Sequence, residues 1–348
     1  MSSYKTYNLR MEAMENKYFF SLKSMKPHYS NEGGSLIHVT SKEVPGFVDI
    51  SYAHLRLNKR GSVEPIWHAN AHKIGYCTSG YLLVSIRTPS GVENFTVKKG
   101  EMFFIPEGYV HHIENIGEDE GVVNFAFNNT MPETMCLSKA VYSISNSVFN
   151  STFNTAPSFG EGLKKDKVDK LIHVLSPLKK PINPISSKYK FNIEDSAKTV
   201  LTKGGYLQIG TKDNLAVLNG LGILGFGLNP KGVVEPHWHT NAGELVFIVK
   251  GTTRITVLSP DGEVKIMEVK GGEGAFAPAS HFHNIENIGT DDVEVIAFFS
   301  DENPDYLGIG EVIGSYSNEL LASIFNVAPN YFDTFKKPTG PLVIVPLE

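Results

Sequence analysis

The sequence predicts an all-β protein made of two copies of one domain, each a sandwich or jelly-roll barrel with short helices near its C-terminal end. Three observations point there. A segment of the chain recurs about halfway along. Short β-rich runs alternate with Gly, Pro, Asn and Asp turns throughout both copies. Helical periodicity appears only near the end of each copy.

The repeat is anchored on the only two tryptophans. Asn58-Lys59-Arg60-Gly61-Ser62-Val63-Glu64-Pro65-Ile66-Trp67-His68-Ala69-Asn70-Ala71 matches Asn229-Pro230-Lys231-Gly232-Val233-Val234-Glu235-Pro236-His237-Trp238-His239-Thr240-Asn241-Ala242 at 9 of 14 positions, at an offset of 171. Gly33-Gly34 pairs with Gly204-Gly205 at the same offset. From Gly100 and Gly272 onward the offset is 172, and Ile113-Glu114-Asn115-Ile116-Gly117 recurs as Ile285-Glu286-Asn287-Ile288-Gly289. The match runs on to Phe153-Asn154-Thr155-Ala156-Pro157 and Phe325-Asn326-Val327-Ala328-Pro329. Each copy is about 125 residues, enough for a core of its own.

Residues 1–32 have no repeat partner and read as a polar N-terminal arm. Residues 33–175 form the first domain. Residues 176–190, with Pro177, Pro181 and Pro184, read as an extended linker. Residues 191–348 form the second domain. Within each domain Tyr81–Ile86 and Thr253–Leu258 are strand-like. Each is followed by a Pro-X-Gly turn and a second run, Glu93–Val97 or Val264–Val269, which is the pattern of a hairpin. Near the end, Glu319–Phe325 has helical spacing, with Ser317-Asn318 as its start signal, and Tyr331–Phe335 adds a further helical turn.

Composition narrows the function classes. A formal charge of −5 argues against nonspecific nucleic-acid binding. No apolar run is long enough for a membrane-spanning helix, and the first residues lack a signal-peptide core. Cys77 and Cys136 have no counterparts in the other copy and make no disulfide framework. A cytoplasmic protein with reduced thiols is expected.

The copies differ where it matters chemically. His237, His239 and Glu244 of the second copy stand opposite Ile66, His68 and Lys73 of the first. His237 and His239 are two apart, so on a strand they share a face. With Glu244 and His283 they make a mixed nitrogen and oxygen set. Such a set suits one divalent ion: Mn or Fe first, with Zn, Ni, Co or Cu also admissible. Four protein ligands leave coordination positions open for substrate.

These residues resemble the motifs of the cupin superfamily. The first motif is matched by Gly232, His237, His239, Glu244 and Gly251, with the gap after Gly232 one residue short. The second is matched by Gly272, Pro278, His283 and Asn287, with Ser280 in place of a glycine. The resemblance covers both repeats. It implies a bicupin of two double-stranded β-helix barrels, with metal in the second, and a homo-oligomer. His281, two before His283, is expected to support the ligands from behind or to line the pocket, and not to be a fifth ligand.

In the first domain, Lys73 beside His68 and His111 makes a poor cation site. Three readings stay open for this half. The barrel is purely structural, it binds an anion through His68, Lys73 and His111, or it holds a metal through His68, His72 and His111.

Among bicupins the sequence is similar to the oxalate decarboxylase group, with germin-like and spherulin-like proteins nearby. That group carries a substrate-holding arginine three residues before the first ligand histidine, where this chain has Val234, and Val63 in the first copy. The same group places an acid on a mobile lid, and Asp301 and Glu302 in Ser300-Asp301-Glu302-Asn303-Pro304-Asp305 are the candidates here. The expected function is therefore a metal-dependent enzyme of oxalate decarboxylase or dioxygenase type, acting on a small organic acid or phenolic compound. The alternative is a non-catalytic bicupin that binds metal and a small ligand for storage or sensing. An open pocket reaching the metal locus favours the enzyme. A blocked or apolar mouth favours the binding protein, and the apolar residues around the site, such as Phe247, Phe276 and Phe282, leave both readings open.

Overall fold

A computed structural model of the chain describes residues 17–164, 171–176, 182–338 and 340–347. Residues 1–16 of the expected arm and 177–181 of the expected linker lie outside these. The described residues cluster into two compact units. One comprises Lys26–His38 and Ser51–Asn192; the other comprises 17–25, 39–50 and 193–347. Each unit thus draws on separated stretches of sequence. Of the arm, Phe19–Ser21 is a strand of the second unit and Tyr29–Asn31 a strand of the first. Lys190–Asn192, at the end of the expected linker, is a strand of the first unit.

The second unit is built from a seven-stranded and a six-stranded sheet, all of the pairings antiparallel. The larger is ordered Phe19–Ser21, Glu273–Ala277, Glu244–Lys250, Val293–Phe299, Gly222–Leu228, Gly205–Gly210, Val200–Thr202. The smaller is ordered Val264–Lys270, Thr252–Leu258, Phe282–Asn287, Gly232–Trp238, Leu307–Gly308, and Ile344–Pro346 also pairs with Gly232–Trp238. The first unit repeats this design. One of its sheets has Lys73–Ser79 between Glu101–Ile105 and Gly121–Phe127; the other has Val110–Asn115 between Gly61–His68 and Tyr81–Thr88. These are paired jelly-roll sheets, as the repeat and the hairpin pattern predicted.

Burial follows from period two. In Tyr81–Thr88 the residues Leu82, Val84 and Ile86 are buried and alternate with half-buried neighbours. Glu273–Ala277 is buried at every position, because Phe19–Ser21 covers its outer edge and both faces are packed. The expected hairpins are present, with Thr253 opposite Val269 and Leu82 opposite Val97.

The helices fall where helical periodicity placed them. Asn318–Phe325 is capped by Ser317, whose Oγ accepts from Leu320 N at 3.2 Å. It ends at Asn326 in the left-handed conformation; the first unit's Asn146–Phe153 repeats both devices with Ser145 and Asn154. The predicted turn at Tyr331–Phe335 is a 3-10 turn at Pro329–Phe332. No described helix is long and apolar enough to cross a membrane.

A candidate metal centre in the second unit

Pro236 prepares the site. A proline inside a strand cannot donate to the ladder. Here the pairing of Gly232–Trp238 with Phe282–Asn287 slips between Val234 and His237, and after the slip His237 stands directly opposite His283. The bulge re-aims the end of the strand so that His237 and His239 both turn inward, 2% and 3% exposed. Glu244 opens the facing sheet's strand and reaches the same point.

The ligand atoms of His237, His239, Glu244 and His283 all lie within 4.8 Å of one another. Glu244 Oε2 is 3.6 Å from His237 Nε2, 3.1 Å from His239 Nε2 and 2.8 Å from His283 Nε2. Each imidazole is fixed from behind by a backbone carbonyl. His237 Nδ1 donates to Glu235 O at 2.7 Å and His283 Nδ1 to His281 O at 2.8 Å. His239 Nδ1 donates to Asp305 O. Those bonds place the proton on Nδ1 and leave every Nε2 lone pair facing Glu244, the tautomer that a metal requires.

Protonation favours the same outcome. Burial, helped by nearby His283, pushes His237 down to about 4, so its ring is neutral at neutral pH. Burial pushes the Glu244 carboxyl up, but its close contact with the three histidines outweighs it and holds it well below the usual carboxylate range. Neutral imidazoles and an ionised carboxylate are the metal-binding forms. A buried carboxylate among three aligned Nε2 atoms is a donor set suited to a divalent cation.

A cavity of about 610 Å³ opens onto His237, His239 and Glu244. Its walls include Leu207, Ile209, Leu224, Phe226 and Phe299, and no lysine or arginine is among the described residues that line it. Phe247 and Phe276 lie in the core, 4% and 1% exposed, and do not line it; neither does Phe282. His281 is not among the lining residues; its carbonyl orients His283.

Asp301 and Glu302 do not line the cavity either. Glu302 is occupied at both oxygens, by Lys212 Nζ at 2.8 Å and Gly220 N at 2.6 Å, and the Lys212 hydrogen bond lowers its pKa. Asp301 Oδ1 accepts from Asn303 N at 2.8 Å. The next residues of the same segment do reach the site. Asp305 supplies the carbonyl that holds His239. Tyr306 stacks on His237 with ring centroids 4.6 Å apart and interplanar angle 20°. Its hydroxyl donates to Glu235 Oε1 at 3.3 Å, and burial, with Glu235 nearby, raises its pKa, so it stays a phenol. Sequence reasoning passed over Tyr306. The signal was in the repeat, where the offset of 172 sets it opposite Thr134.

In the first unit Ile66, His68, Lys73 and His111 occupy the corresponding places. Lys73 Nζ is 3.3 Å from His111 Nε2 and 4.0 Å from the centre of the Phe125 ring. Burial alone brings Lys73 down to about 7, and burial with the adjacent Lys73 pushes His68 and His111 well below the usual range. His72 turns away and its Nδ1 accepts from Glu107 N at 2.8 Å. A first-unit metal on His68, His72 and His111 is therefore not assembled. The only metal-capable group among the described residues is the one in the second unit. Cys77 and Cys136 are both buried thiols.

Comparison with known proteins agrees with this geometry. The Cupin family matches residues 20–159 and again 191–331. The chain is similar to oxalate decarboxylase OxdC of Bacillus subtilis, 21% identical over 90% of this chain and 83% of that one. It is similar to an oxalate decarboxylase of Arthroderma benhamiae, 24% identical over 92% and 82%. Germin-like protein 1 of Brassica napus is 26% identical over 47% of this chain and 81% of its own length. The solved structure of the Bacillus subtilis oxalate decarboxylase at pH 4.6 superposes with a TM-score of 0.84 at 19% identity, covering 96% of this chain and 88% of that one.

Proposed function

The chain belongs to the cupin family, and on that premise we propose that its second unit is the site of a metal-dependent enzyme of the oxalate decarboxylase kind, acting on a small organic acid or phenolic compound. The carrying observation is the buried set of three aligned imidazoles and one carboxylate at the inner end of a cavity of about 610 Å³. Relatives named as oxalate decarboxylases match over most of both chains. Work on the Bacillus subtilis enzyme describes Mn(II) centres in that protein. We take manganese as the first candidate for His237, His239, Glu244 and His283, with iron second.

When bound, such an ion supplies a Lewis-acidic, redox-capable centre with open coordination positions. The protein's own residues do the rest. The three carbonyls behind the histidines lock the rings, so little reorganisation accompanies binding. Glu244 offsets one unit of the ion's charge. Tyr306 holds a neutral hydroxyl and a flat ring beside His237. The walls around Phe226 and Phe299 favour a substrate with an apolar body and exclude water from the reacting end.

The absence of lysine and arginine from the cavity lining bears on substrate choice. Oxalate would bring its second carboxylate toward described walls that carry Asp213 and Asp305 and no cation to receive it. A monocarboxylic acid or a phenol, with one anionic end for the metal and an apolar remainder, suits the cavity better.

The test is metal content by elemental analysis of untagged protein beside His239→Ala, followed by turnover assays on oxalate, aromatic monoacids and phenols with and without oxygen. About one Mn or Fe per chain, absent from the variant, with turnover of a monoacid or phenol above that of oxalate, is expected. Protein that takes up no Mn, Fe or Zn would sink the enzyme reading and leave a ligand-binding bicupin.

A further inference from the structure

The first unit contains a cavity of its own, of about 300 Å³, at the place where the second unit has its metal centre. Lys73 and His68 both line it, 5% and 3% exposed. Two of its features are unfavourable as they stand. A buried amine has no carboxylate to pair with among the described residues that line the cavity. His68 Nε2 is buried without a hydrogen-bond partner.

The surrounding hydrogen bonds set what both groups offer. His111 Nδ1 donates to Tyr109 O at 3.1 Å, so its Nε2 accepts from Lys73 Nζ at 3.3 Å. That leaves Lys73 further N–H donors for the cavity. His68 Nδ1 is 3.2 Å from Thr134 Oγ1. A hydroxyl can donate to that nitrogen, and His68 then carries its proton on Nε2, turned into the cavity. Lys139, His28 and His38 also line the space, so every ionisable side chain around it is basic or neutral. Leu55, Val63, Ile66 and Phe127 make the remaining wall apolar.

We propose that the first unit is a receptor for a small organic monocarboxylate with an apolar tail, its carboxylate held between Lys73 Nζ and His68 Nε2–H. One ligand accepts from both groups and also offsets the charge of the buried ammonium, which neither a cation nor a neutral molecule does. Inorganic phosphate fits less well, because the apolar wall of Leu55, Val63, Ile66 and Phe127 suits a hydrocarbon tail better than further anionic oxygens. A cavity of about 300 Å³ is at the small end of ligand sites and suits an acid of a few carbons. The site does not depend on the metal centre of the second unit.

The experiment is calorimetric titration of the purified full chain with butyrate, and with butanamide as a neutral analogue of the same shape. Lys73→Met and His239→Ala are titrated alongside. Butyrate is expected to bind the first-unit site in the unaltered protein and in His239→Ala alike, while any second site present only in the unaltered protein belongs to the second unit. Butanamide should not bind, and affinity should fall at least about tenfold in Lys73→Met, a loss of roughly 1.4 kcal/mol. The comparison of butyrate with butanamide uses unaltered protein and stands even if Lys73→Met does not fold. No butyrate binding, binding untouched by Lys73→Met, or binding lost only in His239→Ala each overturns the proposal. Borohydride trapping of butyraldehyde on Lys73 without butyrate binding would also overturn it, and assign carbonyl capture instead.

Discussion

Replacing Lys73 by methionine is expected to stabilise the protein, and the gain should depend on pH in a defined way. Lys73 is 5% exposed, and burial lowers its pKa from 10.5 to about 7. At about 1.4 kcal/mol per pH unit, that gap corresponds to about 5 kcal/mol. Below pH 7 the folded protein carries a buried ammonium and the penalty is present in full. Between pH 7 and 10.5 the unfolded chain holds the proton and the folded chain does not, so stability rises with pH. Above 10.5 both states are neutral and the penalty is gone. Methionine keeps the length of the side chain and still packs on Phe125, but it gives up the attraction between the ammonium and that ring, worth about 1–2 kcal/mol. The net gain is then about 3 kcal/mol at pH 6, shrinking toward zero near pH 10. Urea denaturation of both proteins at pH 6, 8 and 10, in buffer free of carboxylates and phosphate, measures it. A gain that stays flat across that range, or a variant less stable at pH 6, would refute the reasoning.

Two further outcomes follow from residues around the metal locus. Ser280 sits at φ +60° in the turn where its first-unit counterpart is Gly108 at φ +74°, so Ser280→Gly should stabilise by about 1 kcal/mol in thermal unfolding; a loss of stability would mean the serine side chain contributes more than the backbone strain costs. Glu302→Gln should leave metal content and turnover within about twofold, since Glu302 is engaged by Lys212 and Gly220 away from the cavity; a drop beyond about a hundredfold with metal retained would give it the role of a lid acid.

The repeat, the strand grammar and the four residues of the candidate metal centre were legible because each is a local or periodic pattern or falls in a repeated motif. A duplicated Glu-Pro-X-Trp-His segment survives in any register, and two histidines two apart on a strand share a face whatever surrounds them. The helix start at Ser317 was legible for the same reason, since a cap is decided within one turn.

What lay beyond the sequence depended on which distant residues meet. Phe19–Ser21 becomes an edge strand on Glu273–Ala277, a pairing across some 250 residues that no local pattern announces. The direction of the segment after Val293–Phe299 is another case. Its acids looked suited to a lid, yet Lys212 and the backbone of Gly220 hold Glu302, while Tyr306 and the carbonyl of Asp305 reach the histidines. Lys73 shows the division in one residue. The sequence by itself determined that a cation replaces a ligand carboxylate in the first copy, and hence that the first barrel is no twin of the second. Only the tertiary structure decided that this cation is buried against Phe125, in a cavity whose described lining holds no acid, and beside an unpartnered His68 Nε2. The reason is physical: residue identity sets which charge is present, but the strength of a charge depends on its surroundings, and those are assembled from strands far apart in the chain.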